Sequence, residues 1–208
     1  MKFILCLSFF LCRLCYAQDT AKMVKLFNQA MEYEDKGDLK KALETQLKLF
    51  RLDTTNYPTA NTIAGLYGKT GRFNEEISWA KKATAINPKF SNGYINLGNG
   101  YAGLGDFIKA ENYFKEALRI DSLNPFAWYS LGLVEESKKD LKAAVVYYER
   151  AVSVNAKFAD GYYNLAAAYA NLKDFNKANE NIVKYLQLNP NDKEAREMYA
   201  HIIEALLK

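Results

Sequence analysis

Past Cys15 the chain has no cysteine, and it holds a single histidine, His201. Without thiols it has no disulfide staple, no thiol nucleophile and no cysteine metal ligand. His201 has no second nucleophilic or metal-ligating group to join it, so we expect no catalytic set, metal or cofactor. Long apolar runs are also missing. The longest, Phe3 to Cys12, stops at Arg13, well short of the roughly 20 residues that cross a bilayer. No asparagine begins an Asn-x-Ser/Thr sequon.

Charge of one sign is scarce. The net charge is +4 from 28 basic and 24 acidic residues, mixed along the chain. Lys40-Lys41, Lys81-Lys82 and Lys138-Lys139 each have carboxylates close by, so no basic block marks nucleic acid as a partner. Glu135-Glu136 cannot act as an acid pair, because adjacent helical residues diverge. Gly98-x-Gly100 and Gly103-x-Gly105 follow no strand, so they read as packing and turn glycines rather than a phosphate loop.

The N-terminus reads as an address. Lys2, the apolar run and Cys15-Tyr16-Ala17 have the order of a secretory signal over residues 1–17, cut between Ala17 and Gln18. Cys6, Cys12 and Cys15 all leave with it. The exported protein would have no membrane span. The missing disulfides and sequons suit a bacterial periplasm or exterior.

A period of 34 residues runs from Met23 to Asp192. Tyr94 and Leu97-Gly98, Trp128 and Leu131-Gly132, and Tyr162 and Leu165-Ala166 share one phase. In the copy 91–124, Tyr94, Leu97, Gly98 and Tyr101 mark one face of a first helix. Gly105-Asp106 breaks it, and Ala110, Phe114 and Ala117 mark the inner face of a second. Leu52, Ile86, Ile120, Val154 and Leu188 close the second helices, with Pro88 and Pro190 forbidding continuation. This predicts a lead-in at 18–22, five helical hairpins at 23–56, 57–90, 91–124, 125–158 and 159–192, and a capping helix at 193–208. In the cap, Ala195, Met198, Tyr199, Ile202 and Leu206 form an apolar stripe, as the ends of stacked repeats require. Two residues depart from the packing pattern. Glu76 stands where alanine is expected, and Glu135 where tyrosine is. A local helix rotation would let each carboxylate reach water or a donor.

These residues resemble the tetratricopeptide repeat family, whose pattern sets Trp or Tyr, Leu-Gly and Tyr in one helix and Ala, aromatic, Ala and Pro in the next. Trp128, Leu131, Gly132, Ala144, Tyr148 and Ala151 match it closely. The resemblance implies an all-α, right-handed solenoid whose concave face is lined by the first helices. It would place Phe27, Met31, Asn61, Gly65, Ile95, Asn99, Phe126, Tyr129, Leu133, Asp160 and Tyr163 on that face. Phe27, Met31, Asn61, Ile95, Asn99, Phe126, Tyr129, Leu133 and Tyr163 are the expected partner-binding residues. Family members that clamp a C-terminal carboxylate need lysine and asparagine where this chain has Phe27 and Met31, so that use is not expected. The implied function is non-catalytic: a scaffold holding a peptide or helix of another envelope protein. The alternative is a carrier of an apolar small molecule or lipid.

Overall fold

The computed structural model describes residues 20–208; the expected signal at 1–17 lies outside them. Among the described residues every element is a helix. They are α1 (20–35), α2 (Leu39–Leu52), α3 (Tyr57–Lys69), α4 (Phe73–Ile86), α5 (Ser91–Gly103), α6 (Phe107–Ile120), α7 (Pro125–Ser137), α8 (Leu141–Val154), α9 (Ala159–Asn171), α10 (Phe175–Leu188) and α11 (Lys193–Leu206). The turn chemistry sets these boundaries. Asp38, Asp106, Asp140 and Asp174 each accept the backbone N–H three residues on, capping α2, α6, α8 and α10. Arg72 holds the equivalent place before α4 and makes no side-chain cap; its guanidinium instead binds Glu75.

Each mid-repeat turn passes through a left-handed backbone. Gly37, Gly71 and Gly105 have φ of 72°, 73° and 80°, where glycine carries no Cβ penalty. Lys139 and Lys173 adopt φ of 65° and 62° with a full side chain. Replacing both lysines with glycine should therefore raise stability, by about 0.5–1 kcal/mol per site. Urea denaturation of the double variant checks this; a loss of stability would mean that the turns are not strained.

The described helices fall into two compact units, one ending at Gly103 and the other running from Leu104 to Lys208. In the first, α2 packs on α3, α3 on α4 and α5, and α4 on α5. Its core includes Phe50, Ala60, Ile63, Tyr67 and Ala83, with Trp79 edge-on to Phe50 at 5.1 Å. In the second, α6 packs on α7, α7 on α8, α8 on α9, α9 on α10 and α10 on α11. Tyr148, Leu165, Ala178 and Ile182 form the centre of its core, and the last helix adds Ala195 and Ile202. Of the expected capping stripe, Met198 is half-buried, while Tyr199 and Leu206 are exposed.

The two carboxylates in the packing pattern behave differently, and neither follows from a rotated helix. Glu76 stays at the packed phase, 3% exposed, with Ala80 and Ala83 of the same face fully buried. The room comes from across the hairpin. Gly68 has no side chain, and a Cβ there would stand 2.6 Å from the Glu76 carboxyl carbon. Glu76 Oε2 has no hydrogen-bond partner, and burial pushes its pKa up to about 7. Glu135 finds a donor instead, Lys138 Nζ at 2.9 Å; the same ammonium reaches Glu111 at 2.7 Å.

Candidate functional site

The first helices of the fourth and fifth repeats, α7 and α9, supply the aromatic residues selected by phase. Asn124 caps α7 by accepting the Phe126 N–H at 3.1 Å, and Pro125 fixes the first turn. The buried face of α7 carries Ala127, Leu131 and Val134, which turns Phe126 and Leu133 outward. Phe126 is 54% exposed even though its ring meets Phe158 edge-on at 5.2 Å. Tyr129 is half-buried between Phe158 and Tyr148, at 5.3 and 5.6 Å.

Tyr129, Asp160 and Tyr163 meet at one cavity of about 230 Å³, together with Asn164, Tyr185, Asp192 and Glu194. Tyr163 stands edge-on to Tyr185 at 5.1 Å. The Tyr185 hydroxyl donates to Asp192 Oδ2 at 2.6 Å, while Asp192 Oδ1 accepts the Ala195 N–H and caps α11. Asn164 donates to the Tyr129 hydroxyl at 3.1 Å. The carboxylates set the electrostatics. The bond to Asp192, then burial, pushes the Tyr185 pKa up to about 12. Burial and then Asp160 raise that of Tyr129; burial, Glu194 and Asp192 raise that of Tyr163. Asp192 is held below its ordinary value, first by the Tyr185 hydroxyl and next by the Ala195 N–H. Aromatic faces beside unneutralised carboxylates are suited to a cationic or donor-bearing side chain.

In the first unit, Phe27 and Met31 are 51% and 43% exposed on α1. Phe27 borders a cavity of about 320 Å³ whose wall also includes Val24, Gln46, Leu49, Pro58 and Thr62. Asn61 is half-buried and occupied, accepting Asn96 Nδ2 at its side-chain oxygen at 2.9 Å. Asn99 is exposed. Ile95 is corrected: at 7% exposure it is a buried aliphatic residue that packs rather than one open to a partner. Asn164, Tyr185, Asp192 and Glu194 were not foreseen at the site. One signal for Asn164 was available. Asn164 and Tyr129 are 35 residues apart, as are Asn96 and Asn61, so two seams between first helices use the same offset.

These hairpins define a helical-repeat protein with exposed aromatic residues along its first helices. The tetratricopeptide repeat pattern matches residues 26–56, 57–90, 91–124, 127–158 and 159–192, and the chain belongs to that family. Over 122 residues it is 30% identical to heat shock protein STI1 of Saccharomyces cerevisiae, covering 55% of this chain and 21% of that one. It thus spans about a fifth of that relative's length. A thermophilic repeat protein of Thermus thermophilus shares the fold, with a TM-score of 0.78 at 20% identity over 89% of this chain and all of that one. The first repeat domain of Spaghetti (RPAP3), solved with an HSP90 peptide, aligns with a TM-score of 0.54 at 23% identity, covering 57% of this chain and 96% of the other.

Proposed function

We propose that this chain is a non-catalytic interaction scaffold of the bacterial cell envelope, and that it holds a peptide or helix of another envelope protein along the exposed faces of its first helices. The observation that carries this reading is the cavity where Tyr129, Asp160 and Tyr163 converge, beside an exposed Phe126. Rigid aromatic side chains on helices lose little entropy on binding and make good anchors. The tyrosines grip by shape, and Asp160 and Glu194 favour a segment with a basic residue at that point. The same carboxylates count against a lipid or apolar carrier, since burying them under hydrocarbon would leave charge without solvent. The envelope address rests on the sequence of residues 1–17.

A photo-crosslinking amino acid at Phe126 tests the surface in cells. A discrete adduct from Phe126, with none from the exposed Lys142 on α8, is the expected result. Tyr163→Ala should then weaken capture of that partner about thirtyfold, the loss typical of a central aromatic anchor. Adducts from Lys142 alone would move the interaction to the second helices and end this reading.

A further inference from the structure

The cavity of about 230 Å³ beside the capping helix carries a charge that the repeat does not require. Tyr129, Tyr163 and Tyr185 line it with Asp160, Asp192 and Glu194, and no lysine, arginine or histidine does. One period of 34 residues earlier, Asp160 becomes Phe126, Asp192 becomes Phe158 and Tyr185 becomes Ala151. There the two phenylalanine rings stand edge-on at 5.2 Å, and Ala151 is fully buried. Ala83 and Ala117 share the phase of Ala151 and are fully buried too, so the ring of Tyr185 is particular to the last hairpin. Apolar closure in the fourth repeat thus gives way to carboxylates among phenols in the fifth.

Helix ends explain part of this charge. Asp160 and Glu194 lie in the first turns of α9 and α11, and Asp192 caps α11, where a carboxylate suits the helix dipole. That does not account for their convergence with three phenols on one cavity. Asp192 is engaged by the Tyr185 hydroxyl and the Ala195 N–H. Asp160 and Glu194 are exposed, and no cationic side chain borders the cavity to neutralise them. After burial, Asp160 is the next cause that raises the Tyr129 pKa, and Glu194 the next that raises that of Tyr163, so both phenols stay neutral at pH 7. A cation is therefore the favoured occupant. The volume falls below the roughly 300–1,000 Å³ of small-molecule sites, which suits a single side chain. A guanidinium is planar, weakly hydrated and stacks on aromatic rings, and its fork of N–H donors can serve carboxylates on two helices at once. A lysine ammonium would give up more water for fewer directed contacts.

We infer that this cavity is a receptor for one arginine side chain of a partner protein, seated among the tyrosine rings and held by Asp160 and Glu194. That a protein presents the arginine rests on the scaffold reading; the preference for a guanidinium does not. The test titrates Nα-acetyl-arginine methylamide into the full chain and follows the ring signals of Tyr129, Tyr163 and Tyr185. The matching derivatives of lysine and of citrulline, the neutral isostere of arginine, serve as comparisons. Saturable shifts at these rings are expected, with lysine about fivefold weaker and citrulline without saturable binding. Asp160→Asn and Glu194→Gln keep the size of exposed side chains, so the fold is retained. Each should weaken arginine about threefold, and the two together about tenfold. Glu197→Gln, an exposed carboxylate of α11 outside the cavity, should change nothing. Lysine binding as tightly as arginine, citrulline binding as tightly, no saturable shift at these rings, or an equal loss from Glu197→Gln would each overturn the proposal. Loss of the Phe126 crosslink would end the scaffold reading and leave the arginine titration standing. A captured partner with no arginine site would do the reverse, so the two readings fail separately.

Discussion

Replacing Glu76 with alanine should stabilise the protein by about 2–3 kcal/mol at pH 8 and change it by no more than about 1 kcal/mol at pH 4. The group titrates at about 7 when folded, against an ordinary value of 4.5. Below pH 4.5 it is protonated in both states and contributes no pH dependence. Between pH 4.5 and 7 the unfolded chain releases the proton while the folded chain keeps it, so stability falls. Above pH 7 the deficit is complete, and the gap from 4.5 to about 7 corresponds to about 3 kcal/mol. Alanine is the residue at this phase in the other four hairpins, at Ala42, Ala110, Ala144 and Ala178, each fully buried. The small cavity it leaves takes back part of the gain. Urea midpoints measured from pH 4 to pH 8 decide the matter. If the wild type and the variant keep parallel pH profiles, Glu76 is not the group that loses stability.

Truncating Tyr148 should cost about 3–5 kcal/mol as Tyr148→Ala and only about 1 kcal/mol as Tyr148→Phe. The ring is fully buried against Gly132, so its removal opens a void that the backbones of α7 and α8 cannot close. The hydroxyl meets Glu136, an exposed residue that water satisfies once the phenol is gone. Thermal unfolding of both variants separates the two contributions. Equal losses would mean that the hydrogen bond, rather than the ring, holds the hairpin together.

The hairpins were legible in the sequence because their signals are local and repeated. Apolar phase, capping aspartate and turn glycine recur at one spacing, and α2, α4, α6, α8 and α10 begin 34 residues apart. The outward set on α7 was legible for the same reason, since Phe126 and Leu133 lie off the Leu-Gly phase. What escaped notice depends on partners far along the chain. Ile95 shares a phase with Tyr129, and only the packing around each decides that one is buried and the other borders a cavity. Glu76 looked like a reason for its helix to turn, because nothing in its own helix announces the room that Gly68 leaves for it. The first-unit cavity escaped because Gln46 shares its phase with Ala80, Phe114, Tyr148 and Ile182, a column so varied in size that no residue in it announces a gap.

The 35-residue side-chain pairs also bear on how such a chain can recombine. Asn61 with Asn96 and Tyr129 with Asn164 join neighbouring first helices through different chemistry at the same geometric place. Excising residues 57–90 would leave the backbone phase intact yet bring Phe27 to the position that Asn61 occupied beside Asn96. The Asn96 amide would then keep a backbone carbonyl but lose the side-chain oxygen it has now, although every hairpin remained whole. A duplicated or deleted copy is thus compatible with the architecture but not with its neighbours, and the order of the hairpins is itself written into their seams.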